Sequence, residues 1–180
     1  MTPLGAIPES SSVTPVRLAF RDTALGVALI GSSRAGVRTI FIGDERSALL
    51  TEWKACNPGA HALTEESGTD PWADAVAAWL DAPGSDLSVP LDIAGTQFQR
   101  AVWSALCEIP FGTTSTYAKI AQQIGRPRAV RAVAGACAMN SLAVAIPCHR
   151  VLRSDGDVSG YRWGVDRKRR LIAREASPPV

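Results

Sequence analysis

Residues 116–137 read TYAKIAQQIGRPRAVRAVAGAC, and this stretch has the pattern of two short helices joined by a tight turn. Thr116, or one of the two residues before it, can cap a first helix from Tyr117 to Ile124, which Gly125 ends. Pro127 suits the first turn of a second helix. A short helix, a glycine turn and a second helix together predict a helix-turn-helix.

The second of these helices has an unusual exposed face. Its buried side is predicted to consist of Val130, Val133, Ala134 and Cys137. The opposite side combines arginines with small residues: Arg128, Arg131, Ala132 and Gly135. Small residues permit close approach of another surface and the arginines supply positive charge, so this face favours a DNA groove. A packed helix–helix contact would explain the small residues but not the arginines.

The segment after this helix ends in a candidate nucleophile. Residues 142–146 are apolar and predict a buried strand leading to Pro147-Cys148-His149-Arg150. Nearby positive charge or a histidine base raises the thiolate fraction of a cysteine, so Cys148 is expected as a thiolate at the rim of the site. The alternative is that Cys148 is simply a small buried hydrophobe. Adjacent side chains on an extended segment point to opposite faces, so proton transfer between Cys148 and His149 needs a bend or a bridging water.

The remaining elements follow from the same local signals. β-Branched runs at 16–21, 25–30 and 37–42 predict three strands joined by tight turns. Helices are predicted from Glu45 to Cys56 after an Asp44 cap, and from Pro71 to about Leu80. Thr96 can cap a further helix. Residues 151–153 and 158–161 flank a Ser-Asp-Gly-Asp turn and predict a β-hairpin wing, and a last helix spans about 166–176.

The chain is divided accordingly into two subdomains. We predict a flexible tail at 1–14, a support subdomain at 15–82, a linker at 83–91, a DNA-binding subdomain at 92–176 and a tail at 177–180. Residues 1–90 contain 6 basic and 11 acidic residues, whereas residues 91–180 contain 13 and 6. This uneven distribution is expected when one face meets a polyanion, although a basic run such as 167–170 can also be solvated surface.

Composition excludes several other classes of protein. No apolar run approaches the roughly 20 residues of a membrane span, and residues 1–12 lack the features of a secretory signal, so a cytoplasmic protein is predicted. The four cysteines show no paired spacing. With only His61 and His149 as further soft ligands, no metal site is predicted. Cys56, Cys107 and Cys137 lie in helical patterns and are expected in the core.

Three motifs stand out near the C-terminus: Ile146-Pro147-Cys148-His149-Arg150-Val151, residues 160–164 (GYRWG) and residues 171–175 (LIARE). Together they closely resemble the O6-alkylguanine-DNA alkyltransferase (methylated-DNA–protein-cysteine methyltransferase) family, and within it the Ada-like members. Residues 127–134 (PRAVRAVA) and Asn140 extend the resemblance, which covers about residues 15–176. It implies an α/β ribonuclease H-like N-terminal subdomain, with a short antiparallel sheet plus helices, and a winged helix-turn-helix C-terminal subdomain.

The resemblance also implies an activity: one-way transfer of an alkyl group from O6-alkylguanine in double-stranded DNA to Cys148, which consumes the protein. O4-alkylthymine is a second substrate class that it leaves open. Because the damaged base is itself the alkyl donor, no cofactor is expected. A monomer without an obligate protein partner or a membrane is implied. The alkyl group lies within the duplex, so the base must be flipped out of the stack.

Family roles can be carried to residues of this sequence. His149 would deprotonate Cys148 through a water while Glu175 holds the imidazole, and Tyr161 would offset charge on the leaving guanine. Arg131 corresponds to the finger that replaces the flipped base, and Tyr117 to the residue that presses on the neighbouring phosphate. The other predicted DNA contacts are Thr116, Arg128, Ala132 and Gly135. The predicted substrate pocket comprises Asn140, Pro147, Val151, Arg162 and Trp163, with Asn140 bracing the active-site loop and Val151 contributing backbone groups.

Two departures from the family pattern restrict these expectations. This chain lacks the additional N-terminal modules of full-length Ada proteins, so phosphotriester repair and transcriptional activation are not expected. Arg162 replaces the small residue of other members and would narrow the pocket toward small alkyl groups. Three alternatives stay open: a lesion-binding relative without chemistry, a winged-helix regulator, and a cysteine hydrolase.

Overall fold

The computed structural model describes residues 15–60, 62–64, 70–82, 87–158 and 160–176. A four-stranded sheet in the order β3-β2-β1-β4 forms the N-terminal half, from β1 (Val16–Thr23), β2 (Gly26–Ser33), β3 (Gly36–Gly43) and β4 (Ala62–Thr64). β1, β2 and β3 are antiparallel neighbours, which confirms the three predicted strands and their tight turns. Gly26 has a φ of +110°, and a Cβ there would lie 2.5 Å from the Gly43 carbonyl oxygen, so this turn requires glycine.

The strand β4 is absent from the sequence prediction. It pairs in parallel with β1, with Val16 opposite Ala62. Three residues are too few to show the alternation that identifies a strand, so only pairing with β1 defines it.

Two helices accompany the sheet, both close to their predicted positions. In α1 (Arg46–Cys56), Leu49 and Trp53 are buried, and the Trp53 indole donates to the Thr39 hydroxyl at 3.2 Å. The predicted Asp44 cap is wrong: Glu45 is the N-cap residue, and the Asp44 carboxylate instead pairs with Arg167.

The helix α2 (Pro71–Asp81) confirms the helix predicted from Pro71 to about Leu80. The Asp70 carboxylate accepts hydrogen bonds from the backbone N–H groups of Trp72 and Ala73. Ala73, Val76 and Leu80 form its buried stripe. The cap therefore depends on local geometry that the sequence specifies directly.

The C-terminal half begins with α3 (Gln97–Cys107), where Thr96 and Gln99 form a capping box. The helices α4 (Tyr117–Gln123) and α5 (Val130–Ala138) follow, with Thr116 capping α4 as predicted. The predicted start of α5 at Pro127 is wrong. Residues 126–129 form a turn closed by a hydrogen bond from the Ala129 N–H to the Arg126 carbonyl, so the helix begins three residues later.

Two predicted β elements are also wrong. Leu142 forms only an isolated parallel bridge with Ile40, and residues 143–146 form turns in which the Ala145 N–H binds the Ala143 carbonyl and Val144 has a φ of +66°. The predicted hairpin wing is replaced by β6 (Val151–Leu152), which pairs in parallel with β5 (Ser115–Thr116). The side chain of Lys168 binds the Val151 carbonyl, and the described residues of 158–161 form no return strand; Ser159 lies outside the described residues.

Three of the four cysteines were expected in the core, and two of them are exposed. Cys56 and Cys107 are the last residues of α1 and α3 and face outward, whereas Cys137 is buried. A helical pattern alone does not determine on which side its final residue lies.

The last helix, α6 (Val165–Ala176), joins the two halves of the chain. Arg167 donates to the Leu25 carbonyl at 2.7 Å, Arg170 to the Ala24 carbonyl at 2.6 Å and Arg174 to the Leu80 carbonyl at 3.1 Å. The basic C-terminal half therefore directs part of its charge at the acidic N-terminal half. The charge asymmetry is thus a weaker argument for a polyanion than the sequence suggests.

The predicted linker is attached to the sheet where the structure describes it. The Val37 N–H donates to the Pro90 carbonyl at 2.8 Å, and the Asp92 N–H donates to the Val37 carbonyl at 2.9 Å. Residues 83–86, like the predicted tails at 1–14 and 177–180, lie outside the described residues. Within the described part of the chain, no helix has both the length and the apolar composition that crossing a bilayer requires.

Candidate active site

The Cys148 motif lies on a single 3-10 turn, Cys148–Arg150, rather than on extended chain. Adjacent side chains on such a turn diverge by about 120° instead of 180°. The turn therefore supplies the bend that proton transfer between Cys148 and His149 requires. Pro147 precedes the turn and is buried, as are Cys148 and His149.

Asn140, at the end of α5, spans the loop that leads to this turn. It is fully buried, and its side-chain oxygen accepts from the Leu142 N–H at 2.9 Å. Its amide group donates to the Ile146 carbonyl at 2.8 Å and to the Cys148 sulfur at 3.2 Å. One side chain thus closes the irregular loop and contacts the sulfur directly.

The Cys148 sulfur is a thiol at neutral pH. Burial raises the pKa of Cys148 to about 11, although the Asn140 hydrogen bond and the positive charges of Lys168 and Arg162 oppose this rise. The expectation of a resting thiolate is therefore wrong, because only 4% of Cys148 is exposed and desolvation outweighs the favourable contacts.

His149 is held by a buried ion-pair network. Its Nε2 lies 2.7 Å from Oε1 of Glu175, while Arg150 donates from Nε to Oε2 of Glu175 at 2.7 Å. Arg150 also donates to the Ile109 carbonyl at 2.7 Å. Burial alone would raise the pKa of Glu175, but the hydrogen bonds and charges of His149 and Arg150 outweigh it and lower that pKa to about 2.

These contacts determine which nitrogen of His149 is basic. Burial lowers the pKa of His149 despite the opposing effect of Glu175, so the imidazole is neutral at pH 7. An ionised Glu175 only accepts hydrogen bonds, so Nε2 carries the proton and Nδ1 has a free lone pair. Nδ1 is buried and has no hydrogen-bond partner among the described residues. His149 is therefore prepared to accept a proton at Nδ1.

The network predicts a pH-dependent contribution to stability. Because the pKa of Glu175 is lower in the folded state, its stabilisation is present above pH 4.5 and is lost as the pH falls toward 2. We expect Glu175→Gln to remove up to about 3 kcal/mol of this pH dependence, measured by urea unfolding between pH 5 and pH 2. The exposed Glu45→Gln variant is the control, and equal pH slopes in wild type and Glu175→Gln would contradict the network.

Two aromatic side chains complete this part of the site. Tyr161 lies edge-on to both His149 and Trp163, at ring-centroid distances of 6.5 and 5.2 Å. Burial raises the pKa of Tyr161 well above its ordinary value, so its hydroxyl is a neutral donor. The Tyr161 hydroxyl and the Trp163 indole N–H are buried without a hydrogen-bond partner among the described residues. Unsatisfied buried polar atoms are rare, so this cluster requires an explanation.

Arg162 points toward the N-terminal half of the chain. Its guanidinium donates to Glu52 at 2.8 Å and to the Cys56 sulfur at 2.9 Å, and it lies over the Phe41 ring at 4.4 Å. These contacts connect the Tyr161 segment to α1. They give no support to the expectation that Arg162 restricts the size of the alkyl group.

The exposed face of α5 agrees with the sequence pattern. Arg131, Ala132 and Gly135 are exposed on α5, and Arg128 is exposed in the preceding turn, whereas Val133 and Cys137 are buried. A Cβ added at Gly135 would have no neighbour within 4 Å. This face is therefore free for an external partner, as far as the described residues extend.

Thr116 and Tyr117 lie at the start of α4 and are half-buried. The Thr116 hydroxyl accepts from the Lys119 N–H at 3.2 Å. Burial, with smaller contributions from Cys137 and Cys148, raises the pKa of Tyr117 to about 12. Tyr117 is thus electrostatically coupled to both the α5 core and the sulfur.

Two charged residues of the site were not predicted from the sequence. Arg150 belongs to the motif, but its role as the second partner of Glu175 requires the folded geometry. Lys168 belongs to a basic run that resembles solvated surface, yet it is fully buried. The available signal was helical spacing, since Lys168, Leu171 and Glu175 recur on one stripe of α6.

Among the residues that the structure describes, no three His, Cys, Asp or Glu side chains lie close enough together to hold a metal ion. His61, one of the two histidines considered from the sequence, is outside those residues.

The chain has clear similarity to known proteins. Residues 97–177 match the family described as 6-O-methylguanine DNA methyltransferase, DNA binding domain. Over 161 residues, or 89% of this chain, it is 47% identical to the bifunctional transcriptional activator/DNA repair enzyme Ada of Escherichia coli (strain K12), of which it covers 46%. It thus spans about half the length of the Ada relatives. It is also 39% identical over 139 residues to the inducible methylated-DNA–protein-cysteine methyltransferase of Bacillus subtilis (strain 168), covering 76% of this chain and 78% of that protein.

A solved structure agrees with these sequence matches. The fold is similar to that of Mycobacterium tuberculosis OGT in complex with DNA, with a TM-score of 0.72 and 31% identity. The similarity covers 90% of this chain and 92% of that one.

Proposed function

The chain belongs to the methylated-DNA–protein-cysteine methyltransferase family, and we propose from this and from the site geometry that it repairs DNA by moving one alkyl group from guanine O6 to Cys148. The product is a thioether, which the protein cannot reverse. Each molecule therefore acts once. The proposed substrate is O6-alkylguanine in double-stranded DNA, with O4-alkylthymine as a second substrate class to be tested.

The observation that carries this proposal is the group of buried polar atoms near Cys148. His149 Nδ1 and the Tyr161 hydroxyl are one acceptor and one donor, both without a partner among the described residues. An acceptor and a donor beside a thiol suit a reaction that removes one proton and stabilises a leaving group. A regulator without chemistry would have no use for them.

The proposed reaction balances without an added reagent. His149 Nδ1 takes the Cys148 proton, directly or through a water, and Glu175 stabilises the resulting imidazolium. The sulfur forms a bond to the alkyl carbon while the bond from that carbon to O6 breaks. The bonding electron pair stays on guanine, where the Tyr161 hydroxyl donates a hydrogen bond. The proton is finally returned to the guanine ring.

Access to the base requires that the lesion leave the duplex. Unstacking costs a few kcal/mol, and less for a damaged pair. The α5 face, with its small residues and Arg131, supports a minor-groove contact in which an arginine takes the place of the flipped base. The proposed contacts to the sugar-phosphate backbone of the DNA are Thr116, Tyr117 and Arg128. Tyr117 would also help to rotate the nucleotide out of the duplex.

Arg131→Ala is expected to slow reaction with an O6-methylguanine duplex by about 30-fold, because the flipped state loses roughly 2 kcal/mol of compensating contact. Reaction with free O6-benzylguanine should change by less than about twofold, since no base has to leave a stack. Rates of Cys148 alkylation measured on both substrates test this. Arg100→Ala, at an exposed arginine of α3, is the control, and equal losses on both substrates would exclude the finger role.

The finer architecture is part of the same proposal. The sheet with α1 and α2 is proposed as a ribonuclease H-like support subdomain (15–82), joined through 83–91 to a helix-turn-helix subdomain (92–176) in which β5 and β6 take the place of the predicted wing. We propose that the active form is a monomer without an obligate protein partner. A cytoplasmic location is proposed because thiols stay reduced there, which a nucleophilic cysteine requires.

Repair stoichiometry tests the proposal. With an excess of duplex containing O6-methylguanine, restored guanine should reach a plateau at one per protein molecule. Continued turnover would indicate a hydrolase or a multiple-turnover enzyme. Duplex binding without restored guanine would favour the lesion-binding or regulator alternatives.

A further inference from the structure

The buried stripe of α6 carries two opposite charges: Glu175 contacts the Cys148 turn itself, and Lys168 contacts Val151 directly after it. Lys168 is 0% exposed and Glu175 is 8% exposed, and they are seven residues, or two helical turns, apart. Leu171, 5% exposed, lies between them on the same stripe. Glu175 contacts His149, which leaves the function of Lys168 to be explained.

Lys168 is directed at the segment that carries the acceptor. Its Nζ donates to the Val151 carbonyl at 2.6 Å and approaches the Gly160 carbonyl at 3.5 Å. Val151 is the third residue after Cys148, and Gly160 directly precedes Tyr161. A single ammonium group therefore links the two segments that supply the sulfur and the tyrosine hydroxyl.

Structural need alone is a poor explanation for this lysine. Burying an ammonium group costs several kcal/mol, and an apolar side chain on the stripe would avoid that cost. Lys168 is the only buried lysine or arginine among the residues that the structure describes. Buried titratable groups with a shifted pKa are concentrated at functional sites, and burial lowers the pKa of Lys168.

We propose that Lys168 is a positioning residue for alkyl transfer: its buried ammonium group stabilises the thiolate of Cys148 and fixes the Val151 carbonyl and the Tyr161 segment around it. This inference rests on the proposed function. Moving a proton from Cys148 to His149 creates a thiolate and an imidazolium. The α6 stripe then provides one fixed charge for each, Lys168 for the anion and Glu175 for the cation.

The electrostatics agree with this geometry. Burial raises the pKa of Cys148, and after the Asn140 hydrogen bond the charge of Lys168 is the next contribution that lowers it. Burial lowers the pKa of Lys168 itself, while Cys148, Cys137 and Asp157 raise it. Coupling between two titrating groups is reciprocal, so each stabilises the charged form of the other.

Other groups also act on these two sites. The charged or titratable groups that influence Cys148 or Lys168 from neighbouring elements are Tyr117, Cys137, His149, Asp157, Tyr161 and Arg162. Arg162 has the same sign of effect on Cys148 as Lys168, so the test must replace Lys168 alone.

The first experiment follows alkylation of Cys148 by iodoacetamide as a function of pH. Lys168→Met keeps the length of the side chain and removes its charge, and we expect the midpoint of the rate profile to rise by about one pH unit, with about tenfold slower reaction at a fixed lower pH. Lys168→Arg keeps the charge and should restore most of the profile. Arg169→Met, at an exposed neighbour paired with Asp166, is the matched control. An unchanged midpoint in folded Lys168→Met overturns the proposal.

A second experiment retains Lys168 and remains decisive if Lys168→Met does not fold. Cys148→Asp and Cys148→Asn place a fixed anion and a neutral isostere at the sulfur position. In protein with 13C-labelled lysines, the Lys168 signal should titrate at higher pH in Cys148→Asp than in Cys148→Asn. Lys54 and Lys119 serve as internal controls. Equal Lys168 midpoints would show that its charge does not act on this position.

Neither experiment depends on DNA or on a damaged base. A wild-type protein that fails to restore guanine, but shows both Lys168 effects, would refute the proposed function and leave the electrostatic coupling intact. Normal repair without either effect would refute only the role of Lys168.

Discussion

Cys148→Ala is expected to abolish alkyl transfer to the protein, with a loss of at least about 10³-fold in rate, because no other described cysteine has the same surroundings. Cys56 and Cys107 are exposed, and burial raises the pKa of Cys137 to about 12 without an imidazole contact. Binding to an O6-methylguanine duplex should be retained, because the α5 face does not include the sulfur. Fluorescence anisotropy on the duplex and restored guanine would be measured on the same sample.

The control for this result is Cys107→Ala, which removes an exposed thiol and should transfer at the wild-type rate. Binding by Cys148→Ala should still weaken steeply with salt, as expected for phosphate contacts that release counterions. Full repair by Cys148→Ala would mean that the acceptor is another residue.

The second large effect is expected for Glu175→Gln, which should slow alkyl transfer by about 10²- to 10³-fold at neutral pH. The neutral amide cannot stabilise the imidazolium, and its NH2 group can donate to Nε2 and so move the proton to Nδ1. The tautomer of His149 that accepts the Cys148 proton is then lost. Single-turnover rates with free O6-benzylguanine isolate this step from DNA binding.

A control variant and matched folding conditions are needed to interpret the Glu175→Gln result. Glu45→Gln, at an exposed position far along the chain, should keep the wild-type rate. The rate should be compared at a pH and temperature where both variants are fully folded, because Arg150 loses its ion pair with Glu175. A wild-type rate in folded Glu175→Gln would show that the buried carboxylate has no part in the reaction.

The elements that the sequence predicted well are those that local rules determine. The strands β1 to β3 show β-branched runs bounded by turn residues, and Thr96 and Thr116 cap their helices through bonds to residues three positions ahead. The motif of the active site was equally visible, since Cys148, His149 and Glu175 belong to quoted motifs. These predictions depend on neighbours in sequence.

The errors occur where a side-chain partner that the pattern does not reveal decides the conformation, whether that partner is near or distant in sequence. Asp44 has the right chemistry for a cap, but the Arg167 guanidinium, 123 residues away, binds it instead. The segment 142–146 is apolar enough for a strand, yet Asn140 bonds to both of its ends and folds it into turns. No periodicity in the sequence reports such contacts.

Lys168 is the most informative residue that was missed. A basic run within a predicted helix favours solvated surface, and three of its four members, Arg167, Arg169 and Arg170, are at least partly exposed. Only the pairing of α6 with the Cys148 turn buries the fourth. Cys148 is buried as well, and this explains why its sulfur is a thiol: desolvation outweighs the nearby positive charges of Lys168 and Arg162.

The central claim is that Cys148 accepts one alkyl group from a flipped guanine and is consumed. Intact mass spectrometry after incubation with an excess of O6-methylguanine duplex, followed by peptide mapping, tests it most directly. The account predicts a gain of one methyl group per molecule, located at Cys148, with no further gain over time. An unchanged mass, or a methyl group on any other residue, would contradict it.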